Sequence, residues 1–193
     1  MNKSDTIQPD GPIRIDIASV LAQRLGPRGR MVPTWLVHRI ERLIRQDELN
    51  ELLRVAYPRR GAEFCEAVIE HLDIKLRTGG TENMPSPAHT RVMYVCNHPL
   101  GGLDGMALIA FVKRHCGVEP QFIVNDLLMA VEPLGDVFLP VNKHGSQSRH
   151  AIRAIDNAMS GDRPLIIFPA GMCSRNIRGK VTDLEWHKMF VQK

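Results

Sequence analysis

Long apolar runs, clustered cysteines and any internal repeat are what this chain lacks. Its longest stretches free of Asp, Glu, Lys and Arg are Val92–Leu103 and Pro164–Ser174, both well short of the roughly 20 residues that a membrane-spanning helix needs. The opening segment MNKSDTIQPDGPIRID mixes acids with bases and contains no apolar core of the kind a secretory leader carries. The expectation is therefore an intracellular or peripheral protein that does not cross a membrane. Four cysteines, Cys65, Cys96, Cys116 and Cys173, are widely scattered. Without a Cys-x-x-Cys pair or a Cys/His ligand spacing they argue against zinc and for reduced thiols in a cytosolic setting.

What is present is an ordinary globular composition, 44% hydrophobic and 24% charged, over a length that fits one domain with an appended subdomain. The formal net charge of +4 is unevenly placed. Residues 1–60 hold 11 Lys and Arg against 7 Asp and Glu, and the remainder holds 14 of each. The N-terminal bases are nearly all Arg, interleaved with apolar residues at helical spacing. That pattern suits an anionic lipid surface, and equally a solvated helical face. The excess is too small, and unaccompanied by any motif, to suggest nucleic acid.

Residues 1–12 read as a disordered tail. From Pro33 the pattern is helical: Thr34 is a candidate N-cap, and Leu36, Val37, Ile40, Leu43 and Ile44 recur on one face. A second helix aligns Leu49, Leu52, Leu53 and Ala56 before Tyr57-Pro58, and a third aligns Phe64, Cys65, Val68, Ile69 and Leu72. Residues 13–72 thus form an expected helical subdomain. After it, strands and helices alternate through residues 73–193. Ile74–Arg77 is a candidate edge strand and Val92–Cys96 a buried one. Asp104 opens a helix to about His115, followed by a strand at Phe122–Val124 and a short helix at Asp126–Val131. Then come a strand at Val137–Val141, a helix at Ser148–Met159 and a strand at Leu165–Phe168. This alternation predicts an α/β fold with a mostly parallel sheet flanked by helices. A helical pattern that opens at Asp183 stops in mid-stride, from which the core is expected to be incomplete at the C-terminus.

Two segments carry chemistry. Val92–Cys96 runs directly into Asn97-His98-Pro99-Leu100-Gly101-Gly102-Leu103-Asp104, placing a His at the carboxyl end of a buried strand, the usual location of sites in open α/β sheets. Pro99 and the paired glycines fix a tight turn that would bring Asp104 back onto the imidazole. A carboxylate on one ring nitrogen orients the His and leaves the other to take a proton from a hydroxyl. The glycine amides offer an oxyanion or phosphate cradle. The bland alternative is a loop histidine and a helix-capping Asp. The second segment, Phe168-Pro169-Ala170-Gly171-Met172-Cys173-Ser174-Arg175, also follows a buried strand and ends in an Arg suited to phosphate.

Together these segments resemble the glycerolipid acyltransferase family that makes phosphatidic acid from lysophosphatidic acid. In that family an Asn-His-x4-Asp block precedes a Phe-Pro-Glu-Gly-Thr-x-Ser-Arg block, with a middle block containing a basic residue after a strand. Val137–Gly145 fills the middle place, with Lys143 as its base. Two departures stand out: His98 and Asp104 are separated by five residues rather than four, and Ala170 replaces the Glu that helps hold the acceptor. Both features are similar to a bacterial branch described as hemolysins or as acyltransferases of amino-acid lipids.

The resemblance implies an O-acyltransferase that moves a fatty acyl group from acyl-CoA or acyl carrier protein to the hydroxyl of a lyso-lipid, either lysophosphatidic acid or a lyso-amino-acid lipid. It implies His98 as general base, Asp104 as its orienting partner, and Gly101 and Gly102 at the oxyanion region. Lys143 and Arg175 would hold phosphates or the head group, and Asn97, Gly171 and Ser174 complete the expected substrate-binding set. No metal or cofactor is expected beyond the acyl donor. The helical subdomain, with its Trp35-bearing helix, would sit on an anionic membrane, at the cytoplasmic face of the inner membrane. Two alternatives stand beside this reading. One is a thioesterase or lipid hydrolase using the same His/Asp pair, against which the lack of a Gly-x-Ser-x-Gly elbow speaks. The other is a non-catalytic lipid-binding module.

Overall fold

A computed structural model describes residues 11–26, 32–86, 91–141 and 149–187, and the chain divides into two compact units, 1–59 and 60–193. Side chains of residues 23–25, 44, 127 and 149–151 are not described either.

The first unit holds three helices: α1 (Ile17–Leu25), α2 (Thr34–Ile44) and α3 (Gln46–Ala56). Helix α1 was not expected from the apolar spacing, yet its signal is local. Asp16 caps it, accepting from the Ala18 amide at 3.0 Å and the Ser19 hydroxyl at 2.6 Å. Two amide side chains of α3 tie the chain ahead of and at the start of α1. The Ile15 amide donates to Asn50 Oδ1 at 2.7 Å and the Ile17 amide to Gln46 Oε1 at 2.8 Å. Helix α2 is capped by Pro33 rather than Thr34, with no side-chain capping bond. Its expected apolar stripe is also narrower. Leu36, Val37 and Ile40 are half-buried, whereas Leu43 is 81% exposed and Trp35 67% exposed.

The second unit is an α/β layer. It begins with α4 (Gly61–His71), whose Phe64, Cys65, Val68 and Ile69 are buried. Then follow β1 (Met93–Val95), α5 (Gly102–Cys116), β2 (Gln121–Asn125), β3 (Phe138–Val141), α6 (Arg149–Ser160) and β4 (Leu165–Ile167). These four strands form one sheet in the order β1-β4-β2-β3, every neighbouring pair parallel. The mostly parallel α/β sheet expected from the alternating pattern is therefore present. Ile74–Arg77, expected as an edge strand, joins no ladder; its Lys75 and Arg77 alternate with too little apolar surface to hold an edge. After Asp183 the expected helix does not start within the described residues, where 183–187 are extended or irregular. Residues 188–193, including Phe190, lie outside them. Ahead of Asp183 the chain forms an unexpected antiparallel hairpin of β5 (Arg175–Ile177) and β6 (Lys180–Thr182).

Residue alternation along β2 distributes the helices. Ile123, with Met93, Leu139 and Leu165, packs against Ala154, Ala158 and Met159 of α6. Phe122 faces the other way, toward α5, where a side chain at Gly105 would place its Cβ 2.8 Å from the Phe122 ring. Gly105 therefore lets α5 lie close on the sheet. Phe122 has little room to yield, being buried and edge-on to both Phe138 (6.0 Å) and Phe168 (5.2 Å). At the opposite, amino edge, Arg163 donates to the carbonyls of Glu119 and Pro120, both at 2.9 Å. Arg60 pairs with Glu132 at 2.6 Å on the same unit.

Because Phe122 is pinned, Gly105→Ala is expected to lower stability by about 1–3 kcal/mol through overpacking. Urea titration followed by circular dichroism checks this. A stability equal to wild type would show that α5 can lift from β2.

Candidate active site

Parallel pairing of β1 with β4, in the register Val95↔Ile167, sets the carboxyl ends of these strands side by side. The Cys96 amide extends the ladder by donating to the Ile167 carbonyl at 3.2 Å. The two motifs, about 70 residues apart in sequence, consequently leave the sheet as neighbours. A further main-chain bond joins them, the Ser174 amide donating to the His98 carbonyl at 2.9 Å.

His98 and Asp104 meet. Nδ1 of the ring lies 3.1 Å from Asp104 Oδ2, with the side chains 19% and 13% exposed. The five-residue separation closes because the chain enters a helix between them. Gly101 is the N-cap of α5, and Asp104 is the third residue of the helix rather than its cap, as the sequence had suggested. From that position its Oδ2 also accepts the Leu100 amide at 2.6 Å, in the manner of an acid in a helix's first turn reaching back to the loop before it. One carboxylate oxygen thus fixes both the loop and the imidazole. Gly101 has φ 70° and ψ −133°, backbone open to glycine and strained for other residues. Its neighbour Gly102 is exposed and begins α5, so its amide belongs to the unpaired N-terminal turn.

The other face of His98 is held by Phe168, the two rings stacked with centroids 4.1 Å apart at 20°. This contact is invisible to motif reading, since it depends on β4 lying beside β1. With Nδ1 engaged by Asp104, Nε2 is the nitrogen left for a substrate; no protein group bonds it among the described residues. Gly171 closes the turn after β4, its amide donating to the Phe168 carbonyl at 2.9 Å, with φ 62°. The Ser174 hydroxyl donates to Asp183, a partner that the sequence did not suggest. Arg175 opens β5 and is exposed, as is Asn97. Lys143, the middle-block base, lies outside the described residues. Ala170 is buried.

The thiols of this unit differ in chemistry, and two of them, Cys96 and Cys173, adjoin the site. Cys96 follows β1, and burial, reinforced by the Asp104 charge, pushes its thiol up. Cys65, in α4, is pushed up by burial first and by Glu119 second. Cys173 is exposed, and its Sγ lies 3.7 Å from where a Gly101 side chain would begin. No group of three or more His, Cys, Asp or Glu residues that could hold a metal occurs among the described residues.

A family described as acyltransferase matches residues 19–193. A lyso-glycine lipid O-acyltransferase of Phocaeicola vulgatus is 39% identical over 184 residues, covering 95% of this chain and 65% of that protein. A lyso-glycine lipid O-acyltransferase of Bacteroides thetaiotaomicron is 35% identical over 184 residues, covering 95% of this chain and 67% of that protein. The chain thus spans about two thirds of the length of these relatives. No solved structure matches it.

Since thiolate rather than thiol reacts, iodoacetamide at mildly alkaline pH is expected to label Cys173 at least about tenfold faster than Cys65. Peptide mass spectrometry of the native and urea-unfolded protein reads the order. Equal rates in the native state would contradict the burial of α4.

Proposed function

The chain belongs to the acyltransferase family, and on that premise we propose that it transfers a fatty acyl group from a thioester to the hydroxyl of a lyso-lipid. The observation that carries this reading is the His98–Asp104 pair at 3.1 Å on the carboxyl edge of the sheet, beside the block that ends in Arg175. His98 Nε2 takes the proton of the acceptor hydroxyl as its oxygen attacks the thioester carbonyl. The tetrahedral oxyanion forms near the Gly101–Gly102 turn, where amides of the α5 N-terminus face the loop. Collapse breaks the carbon–sulfur bond, and the imidazolium returns the proton to the departing thiolate. Asp104 holds Nδ1 as a donor throughout, which keeps Nε2 basic and stabilises the transient charge.

Direct attack, without an acyl-enzyme, fits the surroundings. The Ser174 hydroxyl is committed to Asp183, and no described Ser or Cys side chain bonds the His98 ring. Arg175 and Lys143, with Asn97, Gly171 and Ser174, form the proposed substrate-binding set. For the acceptor, a lyso-amino-acid lipid such as lyso-glycine lipid is favoured over lysophosphatidic acid. Two relatives carry that substrate in their names, and the buried Ala170 stands where the glycerol-phosphate pattern has Glu. The donor is acyl-CoA or acyl carrier protein, and no cofactor is required.

The enzyme works as a peripheral protein on the cytoplasmic side of a membrane. No described helix is long and apolar enough to cross one. On α2, Trp35, Arg39, Arg42 and Leu43 are all exposed and fall at i, i+4, i+7 and i+8, one stripe of mixed aromatic, aliphatic and cationic groups. Such a stripe suits anionic lipid.

Incubation with a palmitoyl thioester and a mixture of lyso-lipids, followed by lipid mass spectrometry, tests the reading. Wild type is expected to make a new diacyl species that His98→Ala does not, with unchanged circular dichroism. Asp104→Asn is expected to lower kcat by about 10²- to 10⁴-fold. Free fatty acid as the sole product would replace transfer by hydrolysis, and full turnover by His98→Ala would remove the mechanism.

A further inference from the structure

We infer that the β5–β6 hairpin is a lipid-docking arm that seats the catalytic edge of the second unit on an anionic membrane surface. The inference rests on the lyso-lipid reading above only in identifying the docked surface with the membrane that holds the acceptor.

The hairpin is short and locally encoded. Its two turn residues, Arg178 and Gly179, have φ of 53° and 82°, the pair of positive values that a two-residue hairpin turn needs. All six strand residues are exposed. The register Arg175↔Thr182, Asn176↔Val181 and Ile177↔Lys180 puts Ile177 on one face and Val181 on the other. Both are largely bare, at 52% and 65% exposure. A ribbon of this size has no core of its own, so both aliphatic groups keep more than half of their surface in water.

Which partner covers it follows from this two-faced exposure and from charge. A folded protein surface laid against a flat ribbon covers one face and leaves the other in water. A fluid lipid interface covers both. Residues 175–182 contain Arg175, Arg178 and Lys180 and no acid, while the nearest acid, Asp183, is engaged by the Ser174 hydroxyl. Aliphatic groups at the acyl boundary with guanidinium and ammonium groups among lipid phosphates is the arrangement of an interfacial anchor. Position adds the function. The arm grows directly from the segment whose Ser174 amide bonds the His98 carbonyl. Leu100 and Met172, on the two loops around His98, are themselves 69% and 41% exposed. Docking through the arm would therefore hold the catalytic loops at lipid-head-group depth, where an acceptor hydroxyl is found.

Flotation of the whole chain with phosphatidylglycerol-containing vesicles, and with phosphatidylcholine vesicles as the uncharged control, tests the arm. Ile177→Asp/Val181→Asp is expected to lower partitioning at least about tenfold. Arg178→Gln/Lys180→Gln is expected to lower it about fivefold per charge and to weaken its salt dependence. Unchanged partitioning in both double variants would overturn the proposal. As a local readout independent of α2, Val181→Cys in a Cys173→Ser background, carrying an environment-sensitive fluorophore, should shift to the blue on vesicle addition. A label that stays in water while the protein is vesicle-bound would also overturn it, as would a shift produced by a purified acidic carrier protein and not by vesicles. His98→Ala, run alongside, should bind vesicles like wild type, so a failure of acyl transfer and a failure of docking are read separately.

Discussion

Everything in the candidate site depends on the parallel pairing of β1 and β4. Neither strand is long, three residues each, and they lie about 70 residues apart in the chain. Pairing them in the register Val95↔Ile167 brings the His98 loop and the Phe168–Arg175 loop to one edge. Parallel strands require crossovers, and the intervening helices α5 and α6 supply the faces that keep such a sheet buried on both sides. The cross-bond from Ser174 to His98 and the stacking of Phe168 on the imidazole are consequences of that register. A slip of one residue would turn Ile167 to the other face and separate the two loops.

Asp104 illustrates how one side chain can serve fold and chemistry together. As the third residue of α5 it meets the positive end of the helix and accepts the Leu100 amide, and the same oxygen orients His98. The five residues between His98 and Asp104 are accommodated because the glycine turn leads directly into the helix. Gly101, in a conformation open to glycine, absorbs the change of direction. The imidazole is then clamped between an ionic partner at Nδ1 and an aromatic face, a preorganised arrangement that leaves few degrees of freedom to lose on substrate binding.

The two units carry different parts of the proposed work. The helical unit presents Trp35, Leu43 and arginines of α2, and the α/β unit presents its own basic, aliphatic hairpin. Both are poor in buried surface at those points and rich in mixed cationic and apolar groups, a pattern that suits the proposed lipid interface.

Sequence by itself determined the elements whose causes are local. Continuous apolar runs announced β1, β2, β3 and β4, periodic apolar residues announced α2, α3 and α4, Asp104 marked the start of α5, and the His/Asp spacing with its glycines announced the pair. It was less informative where two local signals compete. Leu43 has the spacing of a core residue and lies in solvent, and Ile74–Arg77 has the composition of a weak strand and finds no partner. The hairpin was hidden because Arg175–Thr182 is too polar for periodicity to register, although Arg178-Gly179 is a turn signal. Only tertiary structure decided which strands are neighbours, and therefore that Phe168 packs on His98 and that Gly105 must be bare beneath Phe122. The reason is physical: strand order and register are settled by burying side chains from distant segments against each other, a free energy that no local window of the chain contains.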